Sequence, residues 1–101
     1  MPSFPDDLAQ CSGFRWDPGN AEKNWELHRV SRAECEQLFF NRPIRVAPDE
    51  MHSRHEPRRA ALGQTNAGRL LAVVFTVRGT LLRVLSARDM SREERRLYEQ
   101  A

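Results

Sequence analysis

The segments LLAVVFTV at residues 70–77 and TLLRVLSA at residues 80–87, joined through Arg78-Gly79, form the strongest strand pattern in the chain. Branched and aromatic side chains are enriched in strands, and a glycine between two such runs is typical of a hairpin. The continuous apolar character of residues 70–77 indicates a strand that is buried on both faces. The sequence therefore predicts a hairpin whose first strand lies at the centre of a sheet.

Signals for helices lie on both sides of this hairpin. Asp17-Pro18 has the residue types of an N-cap and a first helical position, and the helix is predicted to end near His28. Capping boxes at Ser31–Glu34 and Ser91–Glu94 begin two further helices. Shorter strands are predicted at residues 14–16, 44–46 and 58–63. Two N-terminal helices and one C-terminal helix around a small antiparallel sheet are typical of the α+β class.

The length of the chain, 101 residues, favours one domain. Residues 1–13 lack a sustained periodicity and contain two prolines, so we expect a flexible N-terminal extension outside the core, followed by a single domain over residues 14–101. Cys11 and Cys35 have no metal-binding or redox spacing, and the N-terminal residues lack the pattern of a secretory signal. These features predict a cytoplasmic protein that does not cross a membrane.

Positive charge is concentrated in the second part of the chain. Residues 1–41 contain four basic and seven acidic residues, a net charge of −3, whereas residues 42–101 contain twelve basic and seven acidic residues, a net charge of +5. All twelve are arginines. Guanidinium groups can donate two parallel hydrogen bonds to a phosphate, so this half favours an anionic partner. Arginine is also the basic residue that GC-rich genomes favour, which is an equally simple explanation.

Metal and nucleophilic catalysis have little support in the sequence. His52 and His55 lie near Asp49, Glu50 and Glu56, but the spacing is not that of a zinc site. Cys35 falls on an apolar helical stripe with Leu38 and Phe39, which predicts a buried, inert thiol. We therefore expect neither a metal nor a cofactor.

A scheme without a metal remains, in which arginines stabilise the scissile phosphate of RNA and the 2′-hydroxyl is the nucleophile. One fixed donor at such a phosphate can lower the barrier by on the order of 3 kcal/mol. Arg83 shares a strand face with Leu81 and Leu85, so it is either functional or an edge residue that reaches water. The arginines predicted to act in catalysis are Arg58, Arg78, Arg83 and Arg88. Those predicted to bind RNA are Arg45, Arg69 and Arg95.

His28 is the candidate for acid-base work, because its side chain titrates near neutral pH and stands at the end of a predicted helix. A plain helix-capping role explains the same position. Tyr98, one turn after Glu94, is a second candidate, although an inward-facing tyrosine on a terminal helix is usually part of the core.

Several segments together resemble the BrnT family of ribonuclease toxins. They are Phe14-Arg15-Trp16-Asp17, Leu27-His28-Arg29-Val30-Ser31, Thr76-Val77-Arg78-Gly79, Ser86-Ala87-Arg88 and Glu94-Arg95-Arg96-Leu97-Tyr98. The resemblance implies a RelE-like toxin fold and metal-independent RNA cleavage that inhibits translation and growth. It also implies neutralisation by a ribbon-helix-helix antitoxin in a heterotetramer that contacts DNA through the antitoxin.

Several positions depart from the family pattern. Asn20 and Leu27 stand where the family usually has lysines, and Arg32 stands where it usually has an aromatic residue. The loss of two positive charges leaves a second hypothesis, a catalytically weakened toxin fold that binds the antitoxin or RNA without cutting. A DNA-binding regulator acting alone is less favoured, since no recognition helix stands out.

Overall fold

The computed structural model describes residues 5–49 and 56–100, and within these residues it contains four helices and five strands. The helices are α1 (Asp6–Ala9), α2 (Pro18–His28), α3 (Arg32–Phe40) and α4 (Arg92–Glu99). The strands are β1 (Gly13–Arg15), β2 (Arg45–Pro48), β3 (Arg59–Gln64), β4 (Leu70–Arg78) and β5 (Leu81–Asp89). The fold is of the α+β class, as predicted.

The five strands form one sheet in the order β1-β5-β4-β3-β2. The predicted hairpin is confirmed as β4 and β5, and β4 is the central strand. The prediction of a wholly antiparallel sheet is wrong at one edge, where β1 runs parallel to β5. The two helices that follow β1 carry the chain away from this edge, so β1 needs no hairpin connection to its neighbour and can run in either direction.

The hairpin contains a bulge that changes the alternation of its side chains. Phe75 faces Val84 but Val74 faces Ser86, so β5 contains one extra residue, Leu85, at this point. Leu81 and Arg83 share a face as predicted, whereas Leu85 belongs to the bulge and breaks the pattern.

The helix starts follow the sequence closely. α2 begins at Pro18 and ends at His28, as predicted. Both capping boxes are present: the amide of Glu34 donates to Ser31 Oγ at 3.1 Å, and that of Glu94 donates to Ser91 Oγ at 3.1 Å. These bonds satisfy amide groups that would otherwise lack partners at the first turn.

The hydrophobic core lies between α3 and one face of the sheet. Cys35, Leu38 and Phe39 are buried there, which confirms the predicted helical stripe. α3 approaches β3 so closely that a Cβ added to Gly63 would lie 2.7 Å from Leu38 Cγ. The sheet side of this core contains Ala61, Leu71, Val73, Phe75, Leu82, Val84 and Ala87.

The N-terminal segment contributes to the core, contrary to the expectation that residues 1–13 lie outside it. α1 places Leu8 at 5% exposure among the core residues. Arg59 anchors the same helix, because its Nη1 donates to Asp7 Oδ1 at 3.0 Å. One buried leucine in a single helical turn gives too little periodicity to be recognised in a sequence.

Candidate functional site

The second face of the sheet, opposite the α3 core, carries most of the arginines of the strands. Facing residues of neighbouring strands share a face, so the register assigns each arginine to a row. Thr76 faces Arg83 on β5 and, one step beyond the last β3 pair, Arg58. Two further rows lie along the same face, Ala60–Val74–Ser86 and Arg45–Leu62–Ala72–Arg88. The predicted residues Arg45, Arg58, Arg78, Arg83 and Arg88 therefore all lie on one side of the sheet.

At one end of this face the carboxylate of Glu56 is paired with two of the predicted catalytic arginines. Arg78 Nε donates to Glu56 Oε2 at 3.0 Å, and Arg83 Nη1 lies 3.8 Å from Glu56 Oε1. The hydrogen bond from Arg78 holds the pKa of Glu56 below its ordinary value, and the charges of Arg83 and Arg58 act in the same direction. We call Glu56, Arg58, Arg78 and Arg83 the arginine cluster.

Asp17 fixes the position of Arg83 within the arginine cluster. Arg83 Nε donates to Asp17 Oδ2 at 2.9 Å, and Nη2 of the same side chain also donates to this oxygen. Asp17 stands at the N-cap of α2, yet its side chain makes no cap hydrogen bond there. The carboxylate of Asp17 thus accepts hydrogen bonds from Arg83 and none from the first turn of α2. This charged pair joins β5 to α2.

Thr76 lies between Arg58 and Arg83 in the same row. It is 1% exposed, and its hydroxyl is buried without a hydrogen-bond partner. A buried hydroxyl of this kind lowers the stability of the fold, because it gives up its hydrogen bonds to water without forming new ones. A polar atom that the protein itself does not satisfy therefore lies beside the arginine cluster.

A second group of charges lies at the far end of β5 and contains Arg69. Its guanidinium donates to the main-chain oxygens of His28 and Arg29 at 3.0 and 2.8 Å, and to Glu34 Oε2 at 3.0 Å. It also donates to Asp89 Oδ1 at 2.8 Å. The hydrogen bond from Arg69 lowers the pKa of Asp89, with smaller effects of the charges on Arg95 and His28. Arg69, which the sequence predicted to bind RNA, joins α2, α3 and β5 through these bonds.

The sequence grouped His28 with Arg83, and the structure separates them. His28 lies beside Asp89, and Asp89 follows Arg83 by six positions on β5, a distance of about 20 Å along a strand. Arg95 lies in the same group as His28. Neither His28 nor Arg95 therefore belongs to the arginine cluster.

Arg88 lies between the two groups and is paired with Glu94. Its Nη1 and Nη2 donate to the two oxygens of Glu94 at 2.6 and 2.9 Å. The hydrogen bonds from Arg88, with a smaller contribution from the amide of Ser91, lower the pKa of Glu94 to about 2. Since Glu94 also closes the capping box of α4, Arg88 ties this helix to the sheet.

Tyr98 and Cys35 have the inert roles that the sequence favoured. The hydroxyl of Tyr98 donates to the main-chain oxygen of Pro43 at 2.6 Å, and the residue is 6% exposed. Cys35 is fully buried, which raises the pKa of its thiol to about 12.

Among residues 5–49 and 56–100 there is no group of three potential metal ligands. Glu50, His52 and His55 lie outside the described residues. From the sequence, Glu56 was weighed as a neighbour of the possible metal ligands His52 and His55, and neither it, Asp17 nor Thr76 was assigned to the site. The signal for Glu56 was its position two residues before Arg58, which places both on the same face of an extended chain.

The fold is of the α+β class, and one face of its sheet carries clustered guanidinium groups paired with carboxylates, which defines a small arginine-rich α+β protein. Comparison with family models matches residues 16–94 to the family described as the ribonuclease toxin BrnT of type II toxin-antitoxin systems. The chain belongs to this family.

A solved structure supports the same assignment. The crystal structure of the Brucella abortus ribonuclease toxin BrnT is 25% identical to the chain, with a TM-score of 0.61. The match covers 79% of this chain and 97% of the Brucella protein. No curated protein sequence is significantly similar to the chain. None of the described helices is long and apolar enough to span a membrane.

Proposed function

We propose that the protein is a metal-independent endoribonuclease whose reaction centre is the arginine cluster. The observation that supports this most directly is the pairing of Arg78 and Arg83 with the single carboxylate of Glu56, on which the charge of Arg58 also acts. A phosphodiester carries one negative charge on two non-bridging oxygens, so it can replace the carboxylate between the same guanidinium groups.

In the proposed reaction Glu56 accepts the proton of the 2′-hydroxyl. The 2′-oxygen forms a bond to phosphorus, the bond from phosphorus to the 5′-oxygen breaks, and water returns a proton to that oxygen. The products are a 2′,3′-cyclic phosphate and a 5′-hydroxyl end. Arg83 and Arg78 neutralise the charge that develops on the non-bridging oxygens.

The pairing of Glu56 with arginine matters for its strength as a base. A carboxylate with a lowered pKa is a weak proton acceptor. When a phosphate engages Arg78 and Arg83, Glu56 loses the hydrogen bonds from Arg78 and the nearby charge of Arg83, and its pKa rises toward the ordinary value. Substrate binding thereby activates the base.

The test is cleavage of a short RNA by the purified protein in the presence of EDTA, with the ends of the products identified. We expect cyclic phosphate ends, and a loss of at least 100-fold in rate for Glu56→Gln and for Arg83→Ala, since one fixed donor at the reacting phosphate contributes about this factor. Arg96→Ala, an exposed change on α4, serves as the matched control and should cleave like the native protein. Cleavage that requires a divalent cation, or that survives both changes, would refute the proposal.

We also propose the biological setting that family membership favours. Cleavage of RNA in the cytoplasm would inhibit translation and growth, and a ribbon-helix-helix antitoxin would neutralise the toxin in a heterotetramer that contacts DNA. Co-expression with the product of the neighbouring gene, followed by measurement of the mass of the complex, tests the partner and its stoichiometry.

One observation favours the alternative of a weakened toxin. Leu27, where the family usually has a lysine, is 62% exposed at the end of α2 and adds an apolar side chain to the surface. If the native protein does not cleave RNA but Leu27→Lys does, the chain is a diverged binding module.

A further inference from the structure

A hollow lies between α4 and the β2–β3 end of the arginine-bearing sheet face. Its volume is about 410 Å³, within the range of small-molecule sites. Ala47, Ala60 and Leu62 form its apolar floor, and Leu97 from α4 forms one wall. Leu97 is 50% exposed, so this large apolar side chain is available to pack against a bound molecule.

Two polar side chains of opposite character line this hollow. Arg45 Nε is buried and has no hydrogen-bond partner, so a donor is present for which the protein supplies no acceptor. Glu94 is the second, and its low pKa, about 2, keeps it ionised. Its Oε2 accepts one hydrogen bond from Arg88, whereas Oε1 accepts bonds from Arg88 and Ser91. Since a carboxylate oxygen can accept two bonds, Oε2 can accept one more.

The hollow is close to the arginine cluster on the same face. Arg58 comes directly before β3, and Ala60 of the floor follows two residues later, about 7 Å along an extended chain, which is the scale of one nucleotide. A nucleotide next to a phosphate held in the arginine cluster can therefore place its base in the hollow.

We infer that this hollow is a base-binding subsite that accepts guanine from the nucleotide adjacent to the scissile phosphate. Guanine presents the O6 and N7 acceptors that arginine recognises, and it also carries N–H donors for a carboxylate. The ring packs against Leu62 and Leu97, because unstacked bases in single-stranded RNA are commonly bound by apolar surfaces and hydrogen-bonded at their edges. The subsite rests on the proposed function only for its position relative to the cleaved bond.

The experiment uses RNA that cannot be cut, so binding is measured apart from cleavage. Trinucleotides U-N-U with 2′-O-methyl riboses, where N is G, A, C or U, are titrated into the protein. The ¹H–¹⁵N signals of the arginine Nε–H groups and the leucine methyl signals are followed by NMR. We expect U-G-U to shift the signals of Arg45 and Leu97, and to bind about tenfold more tightly than the other three, as a good arginine–guanine pair implies.

Two variants and a control complete the test. Arg45→Gln should remove the preference for guanine. Leu97→Ala should weaken the binding of U-G-U several-fold, and the protein should stay folded because Leu97 is half exposed. Arg96→Gln removes the same charge from the exposed side of α4 and should keep the preference.

The subsite is refuted if the four trinucleotides bind within twofold of one another, or if shifts are confined to Arg58, Arg78 and Arg83. A preference for guanine without cleavage of ordinary RNA would refute the proposed function and leave the subsite standing. Cleavage without any preference for guanine would do the reverse.

Discussion

Arg83 and Asp17 form a charged pair that joins the middle of a strand to the beginning of a helix, and the helix loses its cap in return. Arg83 Nε donates to Asp17 Oδ2 at 2.9 Å, while α2 has no side-chain cap hydrogen bond. The side chains of Arg83 and Asp17 are 21% and 32% exposed, so water screens this pair less than a surface pair. Stability of the helix terminus is given up in order to hold Arg83 beside Glu56.

Replacement of Asp17 should separate these two roles. Asp17→Ser keeps a good N-cap residue but removes the partner of Arg83, so the rate of RNA cleavage should fall by about tenfold with little loss of thermal stability. Asp17→Ala also removes the partner of Arg83 but offers no cap in exchange, so it should lower the rate equally and should melt at a lower temperature than Asp17→Ser. Steady-state kinetics and thermal unfolding of the two variants are the measurements. Equal cleavage rates for Asp17→Ser and the native protein would show that Arg83 needs no fixed partner.

Replacement of Arg69 should destabilise the protein even when the new residue is lysine. The planar group of Arg69 donates to two main-chain oxygens and two carboxylates on three elements, a set that a single ammonium group cannot reproduce. Arg69→Lys should lower the free energy of unfolding by about 2 kcal/mol, or the melting temperature by on the order of 10 °C. Arg95→Lys is the control, since the structure gives Arg95 only a long-range effect on Asp89. Similar stabilities for the two variants would contradict the structural role of Arg69.

The sequence predicted local structure more fully than the site. Helix boundaries and the central hairpin depend on caps, turns and periodicity, which neighbouring residues define, and these were correct for α2, α3 and β4. The parallel pairing of β1 depends on contacts between distant residues and was missed. The shared face of the arginines could be predicted only in part, because the bulge at Leu85 changes the alternation of β5. Glu56 and Asp17 were missed because carboxylates that bind distant arginines have no local signature.

Stability should fall in acid between about pH 4.5 and pH 2. The pKa of Glu94 is lowered from 4.5 to about 2 in the folded protein, so the unfolded chain takes up a proton first as the pH falls. The stabilisation is therefore complete above the unfolded pKa and is lost as the pH falls through the folded pKa. It amounts to on the order of 1–3 kcal/mol, and the lowered pKa values of Asp89 and Glu34 act in the same direction.

Urea unfolding of the native protein and Glu94→Gln at several pH values tests this prediction. The difference in stability between the two should be largest near pH 7 and should shrink below pH 4. A difference that does not change with pH would mean that the Arg88–Glu94 pair does not control the titration of Glu94.

Replacement of Arg29 by glycine should stabilise the protein. Arg29 has a φ of 54° at the C-cap of α2, a left-handed conformation that favours glycine over residues with a side chain. Arg29→Gly should raise the free energy of unfolding by about 1 kcal/mol, less a smaller loss from the contact of Arg29 with the Trp25 ring at 5.4 Å. Arg29→Ala keeps the strain and loses the ring contact, so it should be less stable than the native protein. If Arg29→Gly is no more stable than Arg29→Ala, strain at this cap is negligible.

Replacement of Thr76 by valine should raise the stability of the protein and lower its activity. The hydroxyl of Thr76 is buried between Arg58 and Arg83 without a hydrogen-bond partner, so Thr76→Val replaces an unsatisfied polar atom by a methyl group of similar size. The free energy of unfolding should rise by about 1 kcal/mol, because the cost of the buried hydroxyl disappears. If the hydroxyl donates to the phosphate once the guanidinium groups have turned toward RNA, the rate of cleavage should fall at least tenfold, with a smaller change in KM. Chemical denaturation and steady-state kinetics on the same variant measure both quantities, and Thr76→Ser, which keeps the hydroxyl, should retain most of the rate.

A stabilised Thr76→Val protein with full activity would show that the hydroxyl takes no part in the reaction. A destabilised Thr76→Val protein would show that the hydroxyl has a hydrogen-bond partner in the folded state.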